Sequence, residues 1–208
     1  MILSVACEFF LRDGFQGTSM DAIAARLGSS KRTLYTRFHS KNHLFEEVVK
    51  RHRQRDRSKL RAIEFDEGSF DAFLVRIGRT LLDRTLHSDN IAWIRLMVVE
   101  QDRFPDLVPL IAVQPMQDAV DLLAPVFRNA MAAGLLPDGD PALAAEQFVL
   151  SVCSRDVHRV LVGMEDAGLT PERAERVEQV VHLFLGRTGS ASPVLPKSRR
   201  ELIAADGA

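Results

Sequence analysis

The chain has 208 residues, 46% of them apolar, and a formal net charge of −1. That is enough apolar material for one domain or two small ones, and no apolar run approaches the roughly eighteen residues of a membrane span. The near-neutral total hides a split: residues 1–57 hold eleven basic against six acidic side chains, the remainder sixteen against twenty-two. A basic first quarter on an acidic body suits a nucleic-acid-reading head. The N-terminus lacks a basic n-region and is interrupted by Glu8, so no signal peptide is expected. Cys7 and Cys153, far apart, read as reduced thiols of a cytoplasmic protein.

In chain order, Ile2, Val5, Ala6 and Phe9 form one stripe of a first helix over residues 2–13, closed by Gly14. A second helix opens at Thr18-Ser-Met-Asp21, with hydroxyl caps and an acid in its first turn. It carries Met20, Ile23, Ala24 and Leu27 at helical spacing and ends at Gly28. Ser30 caps a short third helix with Leu34 and Phe38 inward. Its other side is Lys31, Arg32, Thr33, Tyr35, Thr36 and Arg37, all donors and none acidic. Such a face fits the phosphate walls of a major groove, and the order of helix, three-residue turn and short helix is helix-turn-helix spacing. Ser40 caps a fourth helix with Lys41 in its first turn, where a phosphate is favoured. The expected DNA-binding residues are therefore Thr18, Ser30, Lys31, Arg32, Thr33, Tyr35, Arg37 and Lys41.

Leu44, Phe45, Val48 and Val49 pack the fourth helix on the head. The basic run 50–59 reads as the solvated face of a connecting helix ahead of a second nucleic-acid patch. Asp66-Glu-Gly68 breaks it. Ser69 caps a helix with Phe70, Phe73, Leu74, Ile77 and Leu81 inward; Asn90 caps one with Ile91, Trp93, Ile94, Met97 and Val98. Phe104-Pro105 interrupts. Pro115 opens a helix through Met116, Val120, Leu123, Phe127 and Met131 to Gly134, which Pro125 is expected to kink. Asp140-Pro141 and Thr170-Pro171 open the last two, ended by Gly163 or Gly168 and by Gly186 or Gly189. No stretch alternates long enough for a strand. The layout is all-α with about nine helices: a head over 1–46, a connecting helix over 47–68, a ligand-binding and dimerisation body over 69–189, and a disordered tail over 190–208.

The run Phe15-Gln-Gly-Thr-Ser-Met-Asp-Ala-Ile-Ala-Ala-Arg-Leu-Gly28, with Ser30-Lys31, Thr33-Leu-Tyr35, Phe38, Ser40-Lys41 and Leu44-Phe45, resembles the TetR-type transcriptional regulators. Ser29 departs from that pattern where an apolar residue is usual, and Arg32 where a small one is. A basic arm usually precedes the first helix in these proteins; here it is absent or the true start lies upstream. Glu100, Arg103-Phe-Pro105, Ala144-Ala-Glu-Gln-Phe148 and Arg155-Asp156 with His158 resemble the AefR-like C-terminal domain of one branch. The resemblance implies a homodimeric repressor, released from a palindromic operator by a small-molecule effector held among the body helices. It also implies that the last two helices build the dimer's four-helix interface. Phe70, Phe73, Trp93, Met97, Phe127 and Met131 read equally as core or as the wall of that pocket. Phe148, Val152, Val177, Val181 and Phe184 offer more apolar surface than an outer helix pair can expose, and are expected at the dimer interface.

Chemistry other than recognition finds little support. His39 and His43 have no carboxylate or thiol between them and His39 precedes the cap, so a zinc site is not expected. No nucleophile elbow or phosphate-cradling glycine loop occurs, so no catalytic residue or cofactor is assigned. His158 with Arg155 and Asp156 reads as a polar knot. Two rivals stay open: a helical enzyme with a DNA-like head, and a ligand-binding or interaction module whose DNA-binding head has weakened.

Overall fold

A computed structural model describes residues 1–61 and 69–186, and among them finds ten helices and no strand. The expected helix break at 66–68 and the tail from Ser190 lie outside the described residues.

The head is α1 (Ile2–Gly17), α2 (Met20–Arg26) and α3 (Lys31–Arg37), braced by the first half of α4 (Lys41–Arg61). Gly14 lies at φ 72° and kinks α1 rather than ending it, which swings Phe15 back under the helix. Ala6, Phe10 and Phe15 are the buried residues of α1; the expected Ile2, Val5 and Phe9 lie only at the margin of that core. Ser19 caps α2 by accepting from Ala22 N at 3.0 Å, and Ser30 caps α3 by accepting from Thr33 N at 3.1 Å. Between them Gly28 takes the left-handed conformation, φ 61°, that the tight turn requires. Ser40 caps α4 through His43 N at 3.1 Å.

The body contains α5 (Phe70–Thr85), α6 (Ser88–Val99), α7 (Val108–Ala112), α8 (Gln114–Ala132), α9 (Pro141–Leu161) and α10 (Pro171–Phe184). Ser69, Asp140 and Thr170 cap α5, α9 and α10 as expected. His87 rather than Asn90 caps α6, its ring Nδ1 accepting from Asp89 N at 3.3 Å, while the Asn90 amide reaches the Thr85 carbonyl at 2.9 Å. The helix α8 continues unbroken through Pro125. One core joins α5, α8, α9 and α10 around Leu74, Ile77, Leu123, Phe127 and Phe148. Gly78 makes this close packing possible: a Cβ there would lie 2.8 Å from Val177 Cγ1 and 3.5 Å from Phe148 Cζ.

The second core crosses the expected border between head and body. Trp93, Leu96 and Met97 of α6, Phe104 and Leu107 after it, and Ile111 of α7 are buried with Phe15, Phe45 and Val49 of the head. Phe104 meets Phe15 edge-on at 5.0 Å and Phe45 at 4.7 Å, while the Arg103 guanidinium lies 5.0 Å from the centre of the Phe15 ring. Fully burying such side chains contributes roughly 1.5–3 kcal/mol each, so α6 and α7 are bound into the head.

The connecting helix is tied to the body by charge. Arg53, buried, pairs with Asp118 of α8 and lies 3.8 Å from Asp56; Arg57 lies 3.6 Å from Asp118. Arg84 of α5 donates to the Asp56 carboxylate and to its main-chain carbonyl, both at 2.8 Å. The basic run therefore includes side chains that lock α4 onto α5 and α8, a use beyond the two expected for it.

Candidate nucleic-acid interface and body cavity

Only Leu34 of α3 is buried, with Phe38 just beyond it; Lys31, Arg32, Thr33, Tyr35, Thr36 and Arg37 are exposed on one continuous surface. The helix is held by its cap, since Ser30 Oγ also shares a 2.8 Å hydrogen bond with Thr33 Oγ1. Lys31 reaches back to Asp21 of α2 at 2.8 Å, an exposed pair that water screens and a phosphate can displace. It also lies 6.0 Å from the Tyr35 ring centre, and Arg37 lies 5.9 Å from that of Phe38. These donors face solvent.

Two of the expected DNA contacts are placed differently. Thr18 is buried and its hydroxyl donates to the Gly14 carbonyl at 2.8 Å, closing the kink in α1. Lys41 donates to the carbonyls of Phe15 at 2.8 Å and Thr18 at 2.9 Å, with Gln16 at 3.4 Å. Loss of solvent, followed by repulsion from Arg103, lowers its ammonium pKa, and Glu100 opposes this. Both side chains hold the turn before α2. Sequence spacing carries no sign of this, because the irregular turn they close depends on φ 72° at Gly14.

A cavity of about 200 Å³ lies between α4, α5, α6, α7, α8 and α9. Leu81, Ile94, Ile111, Met116, Val149 and Val157 give it apolar walls, and Asp56, Arg84, Thr85, Asn90 and Ser154 a polar corner. Cys153 also lines it, and burial pushes its thiol up to about 11, opposed by a hydrogen bond with Thr85, so it is neutral there.

The residues expected to line a pocket are elsewhere. Trp93 and Met97 belong to the head core, and Phe73 and Phe127 to the body core, with Phe70 packed against it. Met131 lines a separate shallow cleft with Leu136, Leu143 and Phe184. The five other than Met131 were drawn into or against the two cores, where the largest side chains find the most contacts. The expected dimer contacts need the same correction. Phe148, Val152, Val177 and Val181 are buried inside the protomer, where α10 covers α5 and α9, and Phe184 is half-buried. The outward apolar residues of these helices are Leu143, Leu150 and Leu183. The Arg155–Asp156 knot is real but internal: Asp156 is fully buried, paired with Arg155 at 2.9 Å and with Arg176 of α10. His158 is exposed beside it.

Comparison with known proteins agrees with this arrangement of head and body. The bacterial regulatory proteins of the TetR family match residues 2–48, and the C-terminal domain of AefR-like transcriptional repressors matches residues 72–189. The chain belongs to the TetR family. It is a DNA-binding transcriptional regulator, and the helix-turn-helix formed by α2 and α3 is that family's DNA-binding unit. A relative, the HTH-type transcriptional regulator YvkB of Bacillus subtilis (strain 168), is 25% identical over 88% of this chain and 93% of its own. The flavonoid-responsive regulator FrrA is 31% identical, covers 88% of this chain and 92% of its own, and superposes with a TM-score of 0.63. A TetR-family structure from Mesorhizobium loti MAFF303099 shares the fold at a TM-score of 0.74, with 24% identity over 89% of this chain and 93% of its own. No helix among the described residues is long and apolar enough to cross a membrane.

Proposed function

We propose that this chain is a homodimeric cytoplasmic repressor, whose two α3 helices read the half-sites of a palindromic operator about 34–36 Å apart or more. A small molecule in the body cavity releases it. Arg32 reads bases; Lys31, Thr33, Tyr35 and Arg37 meet phosphates or groove edges, with Ser30 fixing the start of the helix. The head covers residues 1–46, and α4 carries its movement into a body ending near residue 189. The outer faces of α9 and α10, with Leu143, Leu150 and Leu183 exposed, form the two-fold interface.

One observation carries the reading. Ile111 is part of the head core and also lines the cavity, and Ile94 packs on that core while lining the same cavity. A ligand that displaces α6 or α7 therefore displaces packing that positions the head. By linkage, it weakens DNA binding by the factor by which DNA weakens its own binding.

The test uses labelled duplex from the region beside the protein's own gene, titrated by fluorescence anisotropy between 50 and 200 mM salt. The wild type is expected to bind with steep salt dependence. Ser154→Trp, which sets an indole at the exposed rim of the cavity, is expected to bind less tightly with its helicity unchanged. Failure to bind DNA at low salt would remove the operator reading, and wild-type affinity in that variant would remove the coupling.

A further inference from the structure

The polar corner of the cavity holds a guanidinium with an unused donor. Among the described residues, the largely buried Arg53 and Arg84 balance Asp56 and Asp118, while Arg57 is exposed; of these, Asp56 and Arg84 line the cavity. Among the described residues, Arg84 Nε is buried without a hydrogen-bond partner, as are Nε and Nη1 of Arg53 in the same ion-pair cluster. A buried donor left unmatched is costly, so the corner favours a ligand group that brings negative charge and acceptor oxygens. The other side of the Asp56–Arg84 pair faces a groove with Arg55, Asp83, His87 and Asp89, all exposed, and with His52. Charges on that side are screened by solvent.

Resting on the reading that this cavity holds the effector, we propose that the effector is a small amphiphile with one anionic end, which takes Arg84 away from Asp56. Arg84 gives Asp56 only its Nη2, leaving Nε unused in a side chain built to grip a carboxylate with two parallel N–H groups. The rest of the ligand lies against Leu81, Ile94, Met116 and Val157. Asp56 belongs to α4, the helix that begins in the head, whereas Arg84 belongs to α5 of the body. An anion engaging Arg84 therefore loosens α4 from α5 directly, and Asp56 keeps Arg53 as its remaining ion-pair partner, 3.8 Å away.

Octanoate, 1-octanol and octylamine share a chain and differ at one end, so they separate headgroup from tail. Calorimetric titration of the full-length protein is expected to give octanoate at least about tenfold tighter binding than 1-octanol, the discrimination of one charged hydrogen-bonded contact. Octylamine is expected to bind most weakly. Arg84→Gln should bring octanoate down to the level of 1-octanol while leaving 1-octanol unchanged. Asp56→Asn should move the opposite way and tighten octanoate severalfold, a gain that general damage to the fold would not give. A preference for octanoate that survives Arg84→Gln, an Asp56→Asn variant that weakens it, or a preference for octylamine would overturn the proposal. Equal binding of all three with DNA release intact removes the anionic class and leaves the effector cavity standing. Binding by none of them, together with a silent Ser154→Trp variant, takes down the cavity reading itself.

Discussion

The amine of Lys41 lies 2.8 Å from the Phe15 carbonyl oxygen and 4.5 Å from the centre of the Phe15 ring. A lysine in the first turn of a helix is placed to meet phosphate, yet here the first turn of α4 is turned toward the turn before α2. Lys41→Met is therefore expected to cost about 1–3 kcal/mol of stability, the penalty for leaving carbonyls without a donor. The slope of log affinity for operator against log salt should stay unchanged. Thermal melting and filter binding measure the two; a slope lower by about one would show that the amine moves to a phosphate in the complex.

Arg32 has the freest reach of the recognition helix, being exposed at its second residue. Arg32→Ala is expected to lose about 1–3 kcal/mol at the cognate site and to relax preference at one position per half-site. Selection from randomised operators reads both effects. A uniform loss across all sequences would make the side chain a phosphate contact.

Two neighbours on α10 should behave in opposite ways. Val181 is fully buried in the protomer and Leu183 is 67% exposed. Val181→Asp buries a charge within one chain, so the body is expected to lose helicity and melt early. Leu183→Glu is expected to keep its helicity and sediment as a monomer, with operator affinity falling steeply. A dimeric Leu183→Glu protein would place the interface away from this face.

Gly78 is where α5 accommodates α10. With Val177 Cγ1 at 2.8 Å from the added carbon, Gly78→Ala is expected to destabilise by about 1–3 kcal/mol. Combining it with Val177→Ala should cost less than the sum of the two, because the second change removes the obstructing methyl. Urea denaturation of the four proteins gives the coupling; strict additivity would mean that the helices shift apart instead.

The head was legible because its signals are local: Ser30, Ser40 and Gly28 act within a turn of their own positions, and Leu34 with Phe38 defines one side of α3. Caps at Ser69, Asp140 and Thr170 were readable for the same reason. What the sequence did not disclose depends on long-range partners. Nothing near Trp93 or Met97 says that they are buried in one core with Phe15 and Phe45 across the seam. Val181 and Leu183 are equally apolar in composition, and only the seating of α10 over Gly78 decides which faces solvent. The ion pairs of Arg53 and Arg57 were hidden in a run that looked uniformly solvated, because their acceptor Asp118 lies on a different helix.

Trp93, the only tryptophan in the chain, is fully buried between the head and the cavity-bearing body. Its ring centre is 5.3 Å from that of His52 and 6.1 Å from that of Phe45, and its indole N–H is buried without a hydrogen-bond partner. Indole emission is sensitive to water and to nearby imidazole, so any sliding of α6 against α4 alters colour or intensity at one known position. The protein thus carries an unlabelled optical gauge of any such movement, readable in a stopped-flow cuvette without DNA present.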